Sequence, residues 1–400
     1  MPARWAIGLT VTLLIASGLL LWWLTRPVAP PPALALQPVG FAALPGWSEG
    51  QQSSALAGFR ASCAVLARWP DGRRLDRTGT GGTAADWREA CAAATALGDA
   101  GDEPARQFFE RHFVAHAVRG TDGRTGLFTG YYEPLLHGSR TQSRRFNAPL
   151  YRRPGDLVTV DLGAFSQELA GRNLVGRVER GRLVPYPTRA EIDGGALSGQ
   201  ALELFYVDDP VDAFFLQIQG SGVVRLPDGS ERRVGYAGKN GHRYYAIGRA
   251  LIERGALTRE TVSLQTIRAW LQANPGEAAA VMQRNPSYVF FRESDAAGAR
   301  GALGTVLTPG RSLAVDRRLI PLGAPIWLDA QRPGDRPDAA EQPLRRLFVA
   351  EDTGGAIRGA VRGDVFWGAG PRAEHIAGHM AHPGQWYLLL PRQLAEPATS

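Results

Sequence analysis

Glu351-Asp352-Thr353-Gly354-Gly355-Ala356-Ile357-Arg358-Gly359, followed closely by Arg362-Gly363-Asp364-Val365-Phe366, is the stretch that decides how this chain folds. A third segment of the same make-up lies upstream, Val315-Asp316-Arg317-Arg318-Leu319-Ile320-Pro321-Leu322-Gly323. In each, an aspartate sits at the edge of a short apolar run and is punctuated by glycine, arginine or proline. Runs this short, interrupted this often, predict strands and turns. Similar runs at 289–291, 311–315, 325–328, 344–350, 364–367 and 385–390 predict a compact barrel. Carboxylates at strand ends can converge in one cleft, where like charge and partial burial keep a proton on one of them near neutral pH. A general acid needs that property. The pattern therefore points to an enzyme that cleaves glycosidic bonds.

Outward from that stretch, the composition is globular: 44% hydrophobic and 21% charged over 400 residues, enough for two domains with a large core. The 48 glycines and 28 prolines favour a β-rich, turn-rich fold over a helix bundle. The formal charge of +7 is carried almost wholly by arginine, and Lys239 is the single lysine. Such a surface suits nucleic acid, anionic lipid or an acidic polymer, and equally reflects a high-GC genome that favours arginine codons. There is no aromatic-plus-basic RNA signature, no internal repeat and no zinc-type Cys/His spacing, so neither nucleic acid nor a metal is expected.

Residues 5–24 carry no charge and are nearly all apolar, between Arg4 and Arg26. A helix of that length spans roughly 30 Å, the thickness of a bilayer core. Segment 1–26 reads as an uncleaved signal anchor, with a cleaved signal ending near Ala33-Leu34-Ala35 as the alternative. Either way the body is exported. Residues 27–50 begin with a proline-rich run, 27–38, and read as a stiff tether. Cys63 and Cys91 lie in two helical-looking segments, 54–68 and 84–97. In an exported protein they predict either one disulfide or two buried thiols.

Residues 53–117 read as helical, and short strands begin near 125. The run 212–222 reads as a strand whose alternation puts Gln217 and Gln219 on one face, close to Ser221. Paired amides and a hydroxyl suit the hydroxyl and N-acetyl groups of sugars, or simply a polar outer face. Tyr131 and Tyr132 alternate, so at least one is placed for a groove or a core. Pro227-Asp228-Gly229-Ser230 reads as a hairpin turn. Gly354 and Gly355 allow backbone to approach a ligand closely. The loop 235–242 crosses near a ligand but lacks phosphate-loop spacing. Asp364 reads as acid and then base. Asp352 reads as its orienting partner or the keeper of the glycine turn, and Asp316 mainly as structural or electrostatic support.

Several ordered motifs carry a resemblance that spans residues 53–390. They are Phe128-Thr129-Gly130-Tyr131-Tyr132-Glu133-Pro134, Phe214-Phe215-Leu216-Gln217-Ile218-Gln219-Gly220-Ser221-Gly222, Tyr236-Ala237-Gly238-Lys239-Asn240-Gly241, Asn285-Pro286-Ser287-Tyr288-Val289-Phe290-Phe291, and Leu307-Thr308-Pro309-Gly310 running on to Asp316, together with the Asp352 to Asp364 stretch. With these the chain resembles the membrane-bound lytic murein transglycosylase A family. The resemblance implies a mainly β fold with N-terminal and intervening helices (α+β). A double-psi β-barrel, 51–135 and 287–392, would carry the three-aspartate module in its C-terminal part. A second β-rich domain, 136–286, would be inserted in it, with the substrate groove between the two. It implies a lytic exotransglycosylase that cleaves the β-1,4 bond between N-acetylmuramic acid and N-acetylglucosamine and leaves 1,6-anhydromuramoyl ends. The catalytic aspartate maps to Asp364, and the other module aspartates to Asp316 and Asp352. No cofactor is implied. The partners implied are peptidoglycan strands in the periplasm, the membrane through the N-terminal segment, and a wall-remodelling complex. A hydrolytic glycosidase on the same barrel and a non-catalytic murein-binding protein are the alternatives.

Overall fold

The computed structural model describes residues 34–120, 126–169 and 172–395. Six strands close a barrel in the order Gly126–Glu133, Ala381–Pro391, Pro325–Arg332, Gln342–Asp352, Ser312–Val315 and Arg362–Ala369, and the last pairs back onto the first. Two of the pairings are parallel, Ser312–Val315 with Gln342–Asp352 and Arg362–Ala369 with Gly126–Glu133. The alternation of each strand sends one set of side chains inward. Phe128, Leu313, Val315, Val365 and Trp386 are at most 1% exposed. One closing seam brings Gly126 opposite Gly384. A Cβ on Gly126 would lie 2.2 Å from the Gly384 carbonyl oxygen, so any side chain there would force the seam apart.

Two further strands, Phe113–Gly120 and Leu34–Val39, extend the sheet beyond Ala381–Pro391. This corrects two sequence expectations. The helical reading of 53–117 stops at His112, because Phe113 and Ala115 alternate inward on a strand that has edges to fill on both sides. The tether reading of 27–50 fails from Leu34 onward. Leu34–Val39 is an edge strand, where Pro38 is tolerated, and Trp47 is buried against Trp327. The apolar run 5–24 lies outside the described residues. Among the described residues, no helix is long and apolar enough to cross a membrane.

Helices Gln52–Leu66, Arg88–Leu97 and Asp102–His112 pack around Phe59, whose ring meets those of Trp87, Phe108, Phe109 and Phe113. A disulfide joins Cys63 to Cys91 across 28 positions of sequence. Chain-entropy reasoning for a loop of that size gives it about 3–4 kcal/mol of stabilisation.

The second sheet has the order Val289–Ser294, Glu231–Lys239, Ser221–Arg225, Leu135–Ser139, Glu203–Val207 and Ala148–Tyr151, with the expected hairpin joining Ser221–Arg225 to Glu231–Lys239. A small third sheet, Val158–Asp161, Asn173–Glu179 and Arg182–Pro185, lies within the same stretch of chain. Val289–Ser294 had been expected to return to the barrel from 287, but it pairs with Glu231–Lys239 instead. A larger correction concerns 212–222. Pro210–Gln219 is a helix, capped by the Asp209 carboxylate on the Val211 amide, started by Pro210 and ended by Gly220 at φ +83°. Those are helix start and stop signals, and they outweigh the apparent alternation.

Candidate active site

Register builds the site. Ala314 pairs with Asp352 on one side and with Asp364 on the other. Directly paired residues present their side chains to the same face. The two carboxyls therefore stand on the outer face of the barrel, roughly 10 Å apart at the backbone, with one strand between them. The residue between them is alanine, whose methyl group leaves the space over it open. Thr129 pairs with Asp364 and Tyr131 with Phe366, which puts both on this face as well. Beneath it, Tyr131, Phe366, Ala299, Leu307, Ala314 and Ile357 form a small apolar cluster separate from the main core.

This face forms one wall of a groove of about 620 Å³. The opposite wall comes from the second sheet and its flanking segments, including Gln217, Gln219, Ser221, Tyr236, Lys239 and Tyr244. Asp352 and Asp364 are the only carboxylates among its described lining residues.

Hydrogen bonds give the two aspartates different tasks. Asp352 Oδ1 accepts from the amides of Ala302 (2.9 Å) and Thr353 (2.8 Å), and its Oδ2 accepts from the Tyr131 hydroxyl (2.8 Å). Three donors suit an ionised acceptor. Burial nevertheless pushes its pKa up to about 6 against those bonds, with the charge of Asp364 adding to the rise. Asp364 Oδ1 accepts one bond, from Thr129 Oγ1 at 2.6 Å. Arg362 donates to the same Thr129 oxygen at 2.9 Å, so the threonine proton is directed at Asp364. No protein donor engages Oδ2 among the described residues, which leaves that oxygen free to carry a proton into the groove. Burial raises the Asp364 pKa, and the Arg362 charge and the Thr129 bond oppose the rise.

Asp316, read from the sequence mainly as structural or electrostatic support, stands apart from the other two aspartates. It is fully buried and is not part of the groove lining. Arg318 grips both of its oxygens (2.8 and 2.6 Å), and the Gly359 amide donates to Oδ2 at 3.0 Å. Burial would raise its pKa, but these bonds prevail and hold it below the ordinary carboxylate value. Its place is the base of the turn that carries Gly354 and Gly355, both of which line the groove.

The remaining expected residues divide. Gln217 and Gln219 both reach the groove, but from the end of a helix, so they are not two rungs of one strand face. Gln217 Oε1 accepts from Arg189 at 2.6 Å, and Gln219 Oε1 accepts from the Tyr132 amide at 3.0 Å. Ser221, 8% exposed, lines the groove at the start of its strand. Tyr131 contributes its hydroxyl to Asp352, whereas Tyr132 turns away from the groove towards Arg268. The aromatic surfaces left open to the groove are Tyr236 and Tyr244, 49% and 36% exposed.

Sequence reasoning missed Thr129, Arg362 and Tyr244. Thr129 was legible, since it stands two residues before Tyr131 on a strand and so shares its face. It also missed Glu351 as a separate group. This carboxyl is 1% exposed, takes hydrogen bonds from Ser312 and Ser62, and is pushed up to about 7 by burial.

A long groove, one carboxyl with a free oxygen and a second carboxyl held as an acceptor define an acid–base enzyme that works on a chain-like substrate. Residues 127–292 match the MltA specific insert domain and residues 311–390 match the 3D domain. The membrane-bound lytic murein transglycosylase A of Escherichia coli K12 is 36% identical over 278 residues, 69% of this chain and 68% of that protein. The chain belongs to the membrane-bound lytic murein transglycosylase A family. Its structure is similar to that of a membrane-bound lytic murein transglycosylase from Agrobacterium tumefaciens, with a TM-score of 0.79 and 35% identity over 90% of this chain and 99% of that one. It is also similar to E. coli MltA with bound chitohexaose, with a TM-score of 0.61 and 30% identity over 90% and 94% of the two chains.

Proposed function

We propose that this protein is a peptidoglycan lytic transglycosylase that cleaves the β-1,4 bond between N-acetylmuramic acid and N-acetylglucosamine, with Asp364 as the single acid and then base. The observation that carries the reading is the pair astride Ala314, where Asp364 keeps an open oxygen and Asp352 does not. Asp364 gives its proton to the glycosidic oxygen as the C1–O bond breaks. The C6 hydroxyl of the same muramoyl sugar attacks C1, and its proton passes to the Asp364 carboxylate. The acid is thereby restored, no water is consumed, and a 1,6-anhydro ring remains. Asp352, held as an anion, stabilises the oxocarbenium-like charge on the way. A hydrolase would need a second carboxylate poised to activate water or attack the sugar. Asp352, with three donors already upon it, is poorly placed for that.

The carbohydrate would lie between the aspartate face and the wall of Gln217, Gln219 and Ser221, with Tyr236 and Tyr244 offering apolar surface. We take the barrel and the inserted sheets as the two working units, with Val289–Ser294 assigned to the insert. Export to the periplasm and retention at a membrane are supported by the apolar run 5–24 and by the names of the relatives.

Mass spectrometry of products from purified murein tests the reading. Muropeptides one water lighter than reducing ends are expected, and reducing ends alone would identify a hydrolase. The role of Asp352 has its own readout. Its charge is present above about pH 6 and lost below, which gives the rate profile an acidic limb there. Asp352→Asn is expected to lower kcat and to remove that limb. A limb that stays in place would reduce Asp352 to holding the turn.

A further inference from the structure

We propose that Lys239, with Arg317 and Arg358, forms an anion subsite in the groove that takes a carboxylate carried by the muramoyl unit. The inference rests on the glycan-cleaving reading above and names what in the substrate is recognised besides the sugar rings.

Lys239 ends the strand Glu231–Lys239 of the second sheet and is half-buried in the groove wall. Its ammonium crosses to the barrel side. A Cβ built on Gly355 would lie 4.0 Å from Lys239 Nζ, which puts the charge against the glycine turn that follows Asp352. Arg317 and Arg358 line the same groove, and both are exposed. Burial, and after it the charges of Arg358 and Arg317, lower the lysine's pKa.

The cluster has no adequate counter-ion. Among the described residues, no carboxylate lies within ion-pairing distance of Lys239 or Arg317. Arg358 approaches Asp316 only to 3.9 Å, and Asp316 is already held on both oxygens by Arg318. Of the groove's own carboxylates, Asp352 is committed to three donors, and among the described residues no ion pair joins Asp364 to Lys239, Arg317 or Arg358. Three like charges gathered in a partly desolvated cleft destabilise the free protein, and a bound anion relieves that repulsion.

Residue choice supports the same reading. The chain has 45 basic residues, and only Lys239 is lysine. A guanidinium is planar and broad, whereas an ammonium is a compact point charge on a flexible stem. The space beside Gly355 suits the compact form, and this is the one position where a chain that otherwise uses arginine has not done so.

In a muramoyl polymer the anion has two sources. One is the lactyl carboxylate, free where the peptide has been removed. The other is a carboxylate of the stem peptide, where it is present. A glycan built of N-acetylglucosamine alone carries neither, although its rings fit the same groove.

The test measures binding by the full chain carrying Asp364→Asn, which prevents turnover, with and without Lys239→Met. The probes are peptide-bearing murein fragments, peptide-free murein glycan and a neutral N-acetylglucosamine oligomer. Loss of the charge is expected to weaken binding of at least one carboxylate-bearing probe by about tenfold and to leave the neutral oligomer within about twofold. A loss confined to peptide-free glycan assigns the lactyl carboxylate, and a loss confined to peptide-bearing fragments assigns the stem. The exposed Arg317→Gln should move affinity in the same direction by a smaller factor, which guards against a folding defect at the half-buried lysine. An equal loss on all three probes, or none on any, overturns the subsite. If the parent chain binds none of the probes, the glycan reading itself fails and the subsite fails with it.

Discussion

Asp364→Asn is expected to reduce murein cleavage by about 10⁴-fold, the upper end of what a positioned acid–base group contributes, because in the proposed mechanism one carboxyl serves both proton transfers. Asparagine keeps the size of the side chain and can still accept the Thr129 hydrogen bond at Oδ1. Glycan binding should therefore survive, and the loss should fall on kcat with KM little changed. Stability supplies a second readout with a definite sign. The folded pKa of Asp364 is raised, mainly by burial. Its contribution to stability is full below the unfolded carboxylate pKa and is lost as pH rises through the folded value. Above the unfolded carboxylate pKa the wild-type protein therefore carries a cost for burying this carboxyl that asparagine does not have. The variant is expected to melt no lower than wild type at pH 7, with its advantage shrinking towards pH 4. A variant with more than about a tenth of wild-type activity would contradict the assignment, since residual catalysis of that size does not survive loss of the sole acid.

Replacing Asp316 should give the opposite pattern. Asp316→Ala removes a fully buried carboxylate and strands the Gly359 amide and the main-chain amide of Arg318. The Arg318 guanidinium is 41% exposed and can turn to water, which spares part of the penalty of a broken buried pair. A loss of about 3 kcal/mol is expected, most of it from the unsatisfied amides and the cavity. For a protein of 400 residues that corresponds to a fall in Tm of about 4 °C. Well below the transition, kcat should stay within about threefold of wild type, while KM rises because the Gly354–Gly355 turn has lost its footing. Abolished activity with an unchanged Tm would instead move Asp316 into the chemistry. Thermal melts and kinetics of the two variants side by side separate an aspartate that reacts from one that holds the turn.

Much of the site was legible because its signals are local. Glycine, proline and arginine around three aspartates marked strand edges, and those edges are where the carboxyls stand. The turn at Pro227–Ser230 was legible for the same reason, since a proline-glycine turn between two apolar runs leaves the chain little choice. The misreadings share a different cause. Gln217-Ile218-Gln219 alternates like a strand over three residues, but Asp209, Pro210 and Gly220 fix a helix over ten. A short window cannot weigh caps that lie outside it. Val289–Ser294 has the composition of a barrel strand, and nothing within it records that its partner is Glu231–Lys239.

By itself, the sequence determined which chemical groups this protein possesses and which short elements carry them, because strand edges, caps and turns are set by a residue and its immediate neighbours. Tertiary structure decided which of those groups meet. Asp352 and Asp364 become a pair because pairing on both sides of one strand puts them astride Ala314. Asp316, of the same residue type and in a similar motif, is withdrawn from the groove by Arg318 and the Gly359 amide. Lys239 comes to the aspartate face because two sheets, remote in sequence, close on each other. The energies that separate these roles come from burial and from hydrogen bonds between distant segments, and neither exists until the barrel and the inserted sheets are assembled.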